Sequence, residues 1–67
     1  MTNSELTARH IAVLQMVANG KSTAEIAEAL CLELGTVKNL MVTIYRHLGV
    51  IERAHAVAVA MRRGLIE

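Results

Sequence analysis

Sixty-seven residues set a limit of one domain, close to the size below which a chain can no longer bury enough apolar surface to fold alone. Apolar residues form 54% of the chain, with no Pro, Trp or Phe and a single Tyr, so the core must be built from Ala, Leu, Val, Ile and Met, which favours helices over strands. Seven Lys and Arg against six Glu leave a net charge of +1, which excludes any argument from bulk charge for a polyanionic partner and leaves only the placement of charge to make one.

The first helix is predicted to start at Thr7 as N-cap, with Leu6 before it packing on Ile11, and to stop at Gly20. Ile11, Leu14, Val17 and Ala18 fall on one face of it. Ser22 opens a second helix with Glu25 three positions on, the S-x-x-E pattern in which each side chain satisfies the other residue's backbone N–H. Its inner residues are Ile26, Ala27 and Leu30. A turn through Cys31 and Leu32 leads to a third helix from about Leu34 to Leu48, where Val37, Met41, Ile44 and Leu48 recur at spacings of three and four. Gly49 ends it. A fourth helix runs from about Arg53 to Arg63, closed by Gly64, with two basic residues at its negative dipole end.

Ser22 to Val50 therefore reads as two helices joined by a tight turn, with the small Ala27 at their crossing point, the layout of a helix-turn-helix with its second helix in the DNA major groove. Burying Val37, Met41, Ile44 and Leu48 leaves Lys38, Asn39, Val42, Thr43 and Arg46 outward as candidates for the groove. Lys38 can reach a phosphate or guanine O6/N7, Asn39 can pair with adenine N6/N7, and Val42 offers methyl groups suited to thymine C5. Thr36, Arg46, Lys21, Ser22 and Thr23 are better placed for phosphates.

The fourth helix is apolar nearly all round, with Ala54, Ala56, Val57, Ala58, Val59, Ala60 and Met61 along its middle. A domain this small cannot surround its last helix, so one side is expected on the first three helices and the other on a symmetry mate, with Ala56, Val59, Ala60 and Arg63 as the dimer interface.

Enzymatic and metal-binding readings find no support. His10, His47 and His55 lie on different helices without Cys or carboxylate neighbours at ligand spacing, and no His or Asp is spaced to activate Cys31, which reads as a core residue. The six glutamates form no acid/base pair, so neither a catalytic centre nor a cofactor is expected. Arg53 is open to two readings, a DNA contact or a structural hydrogen bond to neighbouring carbonyls. A single cysteine cannot form an internal disulfide, which fits a reducing, cytoplasmic setting. The opening MTNSEL lacks the basic and apolar parts of a signal peptide, and the apolar runs are short of a membrane span.

From Leu6 to Ile66 the chain resembles the LuxR/GerE-type helix-turn-helix family, and is similar in plan to its free-standing, GerE-like members. The resemblance rests on the LT opening, AxG at Ala18 to Gly20, EIA at Glu25 to Ala27, TVKN at Thr36 to Asn39, LGV at Leu48 to Val50, Arg53, the AVA run, and Gly64 with Leu65. It implies an all-α, four-helix domain that binds double-stranded DNA as a homodimer through its last helix, regulates transcription, and reads bases from Lys38, Asn39 and Val42. Departures gather on the same face. Glu33 stands where Ser or Thr usually opens the third helix, Leu40 where His is common, and Met41, Val42 and Thr43 replace a more polar run. His10 replaces a first-turn glutamate and His47 a basic residue before LGV. Each is expected to subtract from capping or electrostatic grip. They motivate an alternative in which the domain keeps the fold and binds another regulator or a polymerase subunit through an apolar surface.

Overall fold

The computed structural model describes residues 6–67, so the first five, part of the segment read above as lacking a signal peptide, lie outside the described residues. Four helices follow one another: α1 Ala8–Ala18, α2 Thr23–Leu30, α3 Leu34–Leu48 and α4 Arg53–Arg62. No strand occurs among the described residues. Helices α1 and α3 each touch all the others, while α2 and α4 do not touch each other.

Local sequence explains each boundary. The Thr7 side chain accepts from the His10 N–H at 3.3 Å, and the Thr7 N–H donates to His10 Nδ1 at 3.0 Å. His10 thus completes a capping box as a glutamate would, which corrects the expectation that it weakens the cap. In α2, Ser22 Oγ accepts from the Glu25 N–H at 3.1 Å and the Ser22 N–H donates to Glu25 Oε1 at 2.7 Å. At α4 the Glu52 carboxylate accepts from the N–H groups of Ala54 and His55 at 2.8 and 3.3 Å, a cap the sequence reading missed. Only α3 opens without a side-chain cap: Glu33 occupies the position and bonds nothing there.

All four helices stop by one device. The N–H groups of Lys21, Leu32, Val50 and Leu65 each reach back to the carbonyl five residues earlier, which requires a left-handed residue just before them. Gly20, Gly49 and Gly64 supply it in three cases; in the fourth it is Cys31, with φ +57°. Cys31 is also exposed, which overturns its reading as a core residue. The turn selects that position for its backbone, and its side chain is thrown out to solvent.

The core is Val13, Leu14 and Val17 of α1, Ile26 and Ala27 of α2, Val37, Met41, Ile44 and Leu48 of α3, and Ala56, Val59 and Ala60 of α4, closed by Val50 and Ile66. Ile11, Ala18 and Leu30, expected inside, pack against its margin half-buried. The chain's end is pinned to α1, since Gln15 Oε1 accepts from the Glu67 N–H at 3.0 Å and Gln15 Nε2 donates to the Glu67 carbonyl at 3.2 Å.

Cys31 in the left-handed region carries a steric cost that glycine does not. Cys31→Gly is expected to stabilise the domain by about 1 kcal/mol, raising the thermal midpoint by about 4 °C or more. Thermal unfolding followed by circular dichroism checks this, and an unchanged or lower midpoint would contradict it.

Candidate nucleic-acid interface

Helix α2 ends at Leu30 and α3 begins at Leu34, so three residues turn the chain between them; the two helices pack together, and Ala27 is buried in the core. With Val37, Met41, Ile44 and Leu48 all turned into the core, the opposite side of α3 carries Gly35, Thr36, Lys38, Asn39, Val42, Thr43 and Arg46, all exposed. At 3.6 residues per turn, Gly35, Asn39, Val42 and Arg46 fall within an arc of roughly 60° at the centre of that face, with Lys38 and Thr43 flanking them.

The start of α2 contributes a second, smaller group. Lys21 and Ser22 are exposed; Ser22 Oγ accepts from the Glu25 N–H in the capping box, and its hydroxyl lies against the Glu25 carboxylate. Thr23 is half-buried and its hydroxyl points to Met41 Sδ at 3.9 Å, so of the three it is the one turned toward α3 rather than outward. The Glu25 carboxyl is held below the usual carboxylate range, first by the hydrogen bond from the Ser22 backbone N–H, then by the Ser22 hydroxyl, with a smaller contribution from the Lys21 charge. Arg53, left open by the sequence, makes a structural bond: Nη1 donates to the Lys21 carbonyl at 3.0 Å. It ties the start of α4 to the turn that carries Lys21 and Ser22, and so fixes those two relative to α3.

Three of the four residues assigned to a dimer interface are turned inward, and the fourth, Arg63, is exposed. Ala56 and Ala60 are fully buried and Val59 nearly so, all within the chain's own core. Arg63 lies on the same side of α4 and borders a shallow groove with Leu6, Ile11, His47 and Leu65. The face that α4 leaves open carries Ala54, Ala58 and Met61, with Ile51 at its foot. Ile51 is 92% exposed and Met61 48%, an apolar stripe at spacings of three, four and three that the all-round apolar composition of α4 concealed from sequence reading.

No cluster of His, Cys and Glu among the described residues could hold a metal ion, and no described helix is long and apolar enough to cross a membrane.

The profile of bacterial regulatory proteins of the luxR family (GerE) matches residues 4–60. The chain belongs to the luxR family. Over 59 residues it is 41% identical to the transcriptional regulatory protein DesR of Bacillus subtilis, covering 88% of this chain and 30% of DesR. Among solved structures it superposes on the response regulator ChrA of a heme-sensing two-component system with a TM-score of 0.92 at 36% identity, over 98% of this chain and 33% of ChrA. The transcription factor GerE superposes with a TM-score of 0.88 at 27% identity, over 98% of this chain and 97% of GerE. The chain spans 26–30% of the length of the first curated regulators it matches, so the likeness to them is confined to a helix-turn-helix domain of transcription regulation.

Among the described residues, Glu33 is the one N-cap whose side chain makes no hydrogen bond to its helix, and it sits at the opening of α3. Glu33→Ser is expected to stabilise the domain by about 1 kcal/mol, as a hydroxyl reaches the free N–H groups of the first turn. Denaturant titration checks this: the midpoint rises, with the slope unchanged.

Proposed function

We propose that the domain binds double-stranded DNA as a symmetric dimer, each protomer laying α3 in the major groove, and thereby regulates transcription on the bacterial chromosome in the cytoplasm. The observation that carries this reading is the division of α3, one side wholly committed to the core and the other fully exposed with Lys38, Asn39, Thr43 and Arg46 on it. Lys38 and Asn39, near the N-terminal end, suit base edges, since that end of a recognition helix enters deepest. Lys21, Ser22, Thr36 and Arg46 flank them and suit phosphates, which position the protein without specifying sequence.

The dimer in this proposal uses the stripe Ile51, Ala54, Ala58 and Met61. Small alanines in its middle let two α4 helices approach closely, and covering Ile51 and Met61 removes the largest apolar exposure on that side of the chain. A twofold axis there puts two α3 helices on one face of a duplex, at half-sites about 34 Å apart.

Binding to a labelled mixed-sequence duplex, followed by fluorescence anisotropy at about 50 and about 200 mM salt, tests the DNA reading. With six or more phosphate contacts per dimer, affinity falls about a thousandfold between the two. Lys38→Ala weakens binding by about tenfold. Binding at neither salt would turn the reading to an apolar protein interface, whose strength is nearly indifferent to salt.

Sedimentation separates the two faces of α4. Ala58→Asp is expected to give a folded monomer whose thermal midpoint falls only by the loss of the partner's stabilisation and of alanine's helix propensity. Val59→Asp, which drives a carboxylate into the core, is expected to cost about 3 kcal/mol of stability. A wild-type monomer at high concentration on DNA-free sedimentation, or an Ala58→Asp dimer, would overturn the assignment of this stripe.

A further inference from the structure

The turn between α1 and α2 contains a peptide unit, joining Lys21 to Ser22, that charged side chains hold from both edges. Its N–H, that of Ser22, donates to Glu25 Oε1 at 2.7 Å, and its carbonyl, that of Lys21, accepts from Arg53 Nη1 at 3.0 Å. Both bonds are charge-assisted, the stronger class of protein hydrogen bond. The two side chains come from the first turns of α2 and α4, helices that do not touch each other.

The backbone does not call for the second of these bonds. The Lys21 carbonyl lies ahead of α2, no backbone N–H among the described residues bonds it, and on an exposed turn water satisfies such a group. Helix α4 does not call for Arg53 either. The positive end of a helix disfavours a cation, and Glu52 already caps that end. What the pair of bonds does fix is the plane of the peptide, and with it the direction in which the exposed Lys21 side chain leaves the turn. A cation carried on backbone already held in place meets an anion without further loss of backbone freedom.

We propose that Arg53 and Glu25 are positioning residues for DNA: they clamp the Lys21–Ser22 peptide so that the Lys21 ammonium meets a phosphate, and neither side chain touches the duplex itself. The inference rests on the DNA-binding reading and adds to it a residue of α4, outside the helix-turn-helix.

The salt dependence of binding to the mixed-sequence duplex tests the clamp, since its slope counts the phosphates neutralised. Lys21→Ala lowers that slope by about two per dimer, one phosphate per protomer. Arg53→Met keeps the apolar stem, removes the donor and lowers the slope by about the same amount; the double variant lowers it no further. A double variant that loses about four would mean that Arg53 reaches a phosphate of its own, which overturns the positioning role. An unchanged slope in either single variant overturns it as well, even where the thermal midpoint falls. Nitrogen-15 relaxation supplies a readout that needs no variant: the wild-type Ser22 amide has an order parameter of about 0.85, as in rigid backbone, and in Arg53→Met it drops below about 0.6. A Ser22 amide already mobile in the wild type removes the clamp whatever the variants do. A wild type that binds no duplex at about 50 mM salt takes down the DNA reading and this one together, whereas the variant results, with wild-type binding intact, count against the clamp alone.

Discussion

The inward commitment of four side chains on α3, Val37, Met41, Ile44 and Leu48, governs the rest of the structure. They pack on residues from all three other helices, so α3 cannot turn about its axis without emptying the core. With the single tyrosine, Tyr45, only half-buried at the core's margin, no large aromatic holds this centre, and each of the four carries a correspondingly large share of the burial. The exposed face of α3 is thus fixed by its buried one. The direction in which Lys38, Asn39, Val42 and Arg46 point is a consequence of packing, and they need no contacts of their own to hold it.

Short helices with short connections make the ends matter as much as the faces. Helix α2 has eight residues, too few to persist without tertiary packing and caps. The Ser22–Glu25 box at one end and the left-handed Cys31 at the other bound it, and Arg53 clamps the turn in front of it through the Lys21 carbonyl. A single guanidinium thereby links the beginning of α4 to the turn before α2, two helices that do not otherwise touch. Whatever α4 docks against, this bond carries the constraint toward Lys21 and Ser22, so the two halves of the proposed interface share one rigid frame.

The helices and their order were legible because caps, stops and the three-and-four spacing on α3 agree, and local agreement of that kind is what periodicity detects. The exposed residues of α3 followed by subtraction. On α4 the same subtraction failed. With Ala or Val at nearly every position, no polar residue marks the outer side, and the choice between Ala56, Val59 and Ala60 and the alternative Ala54, Ala58 and Met61 is made only by what α1 and α3 leave room for. His10 was misjudged by residue type: what the cap requires is an acceptor at the third position, and an imidazole nitrogen supplies one. Cys31 was misjudged in the same way, since a small apolar residue in a tight turn reads as core, whereas the turn uses it for its left-handed backbone. The Gln15–Glu67 pairing joins residues 52 positions apart, beyond the reach of any local pattern.

Where a chain departs from its own local rules, the pattern of departure carries information. Three of the four helices are capped by side chains and the fourth is not; of the four glycines, three sit at positive φ and one does not. Both exceptions, Glu33 and Gly35, fall at the opening of α3, and exposed Leu34 lies between them. Each lowers the stability of that end: an uncapped first turn, a helical residue without a Cβ, an apolar side chain left in water. None is repaired by a contact within the chain. Cys31 at positive φ and the exposed Ile51 and Met61 are costs of the same kind elsewhere in the chain, but only the opening of α3 gathers three of them in consecutive residues. That end of α3 is therefore held in place by the buried face of the helix and not by its own first turn.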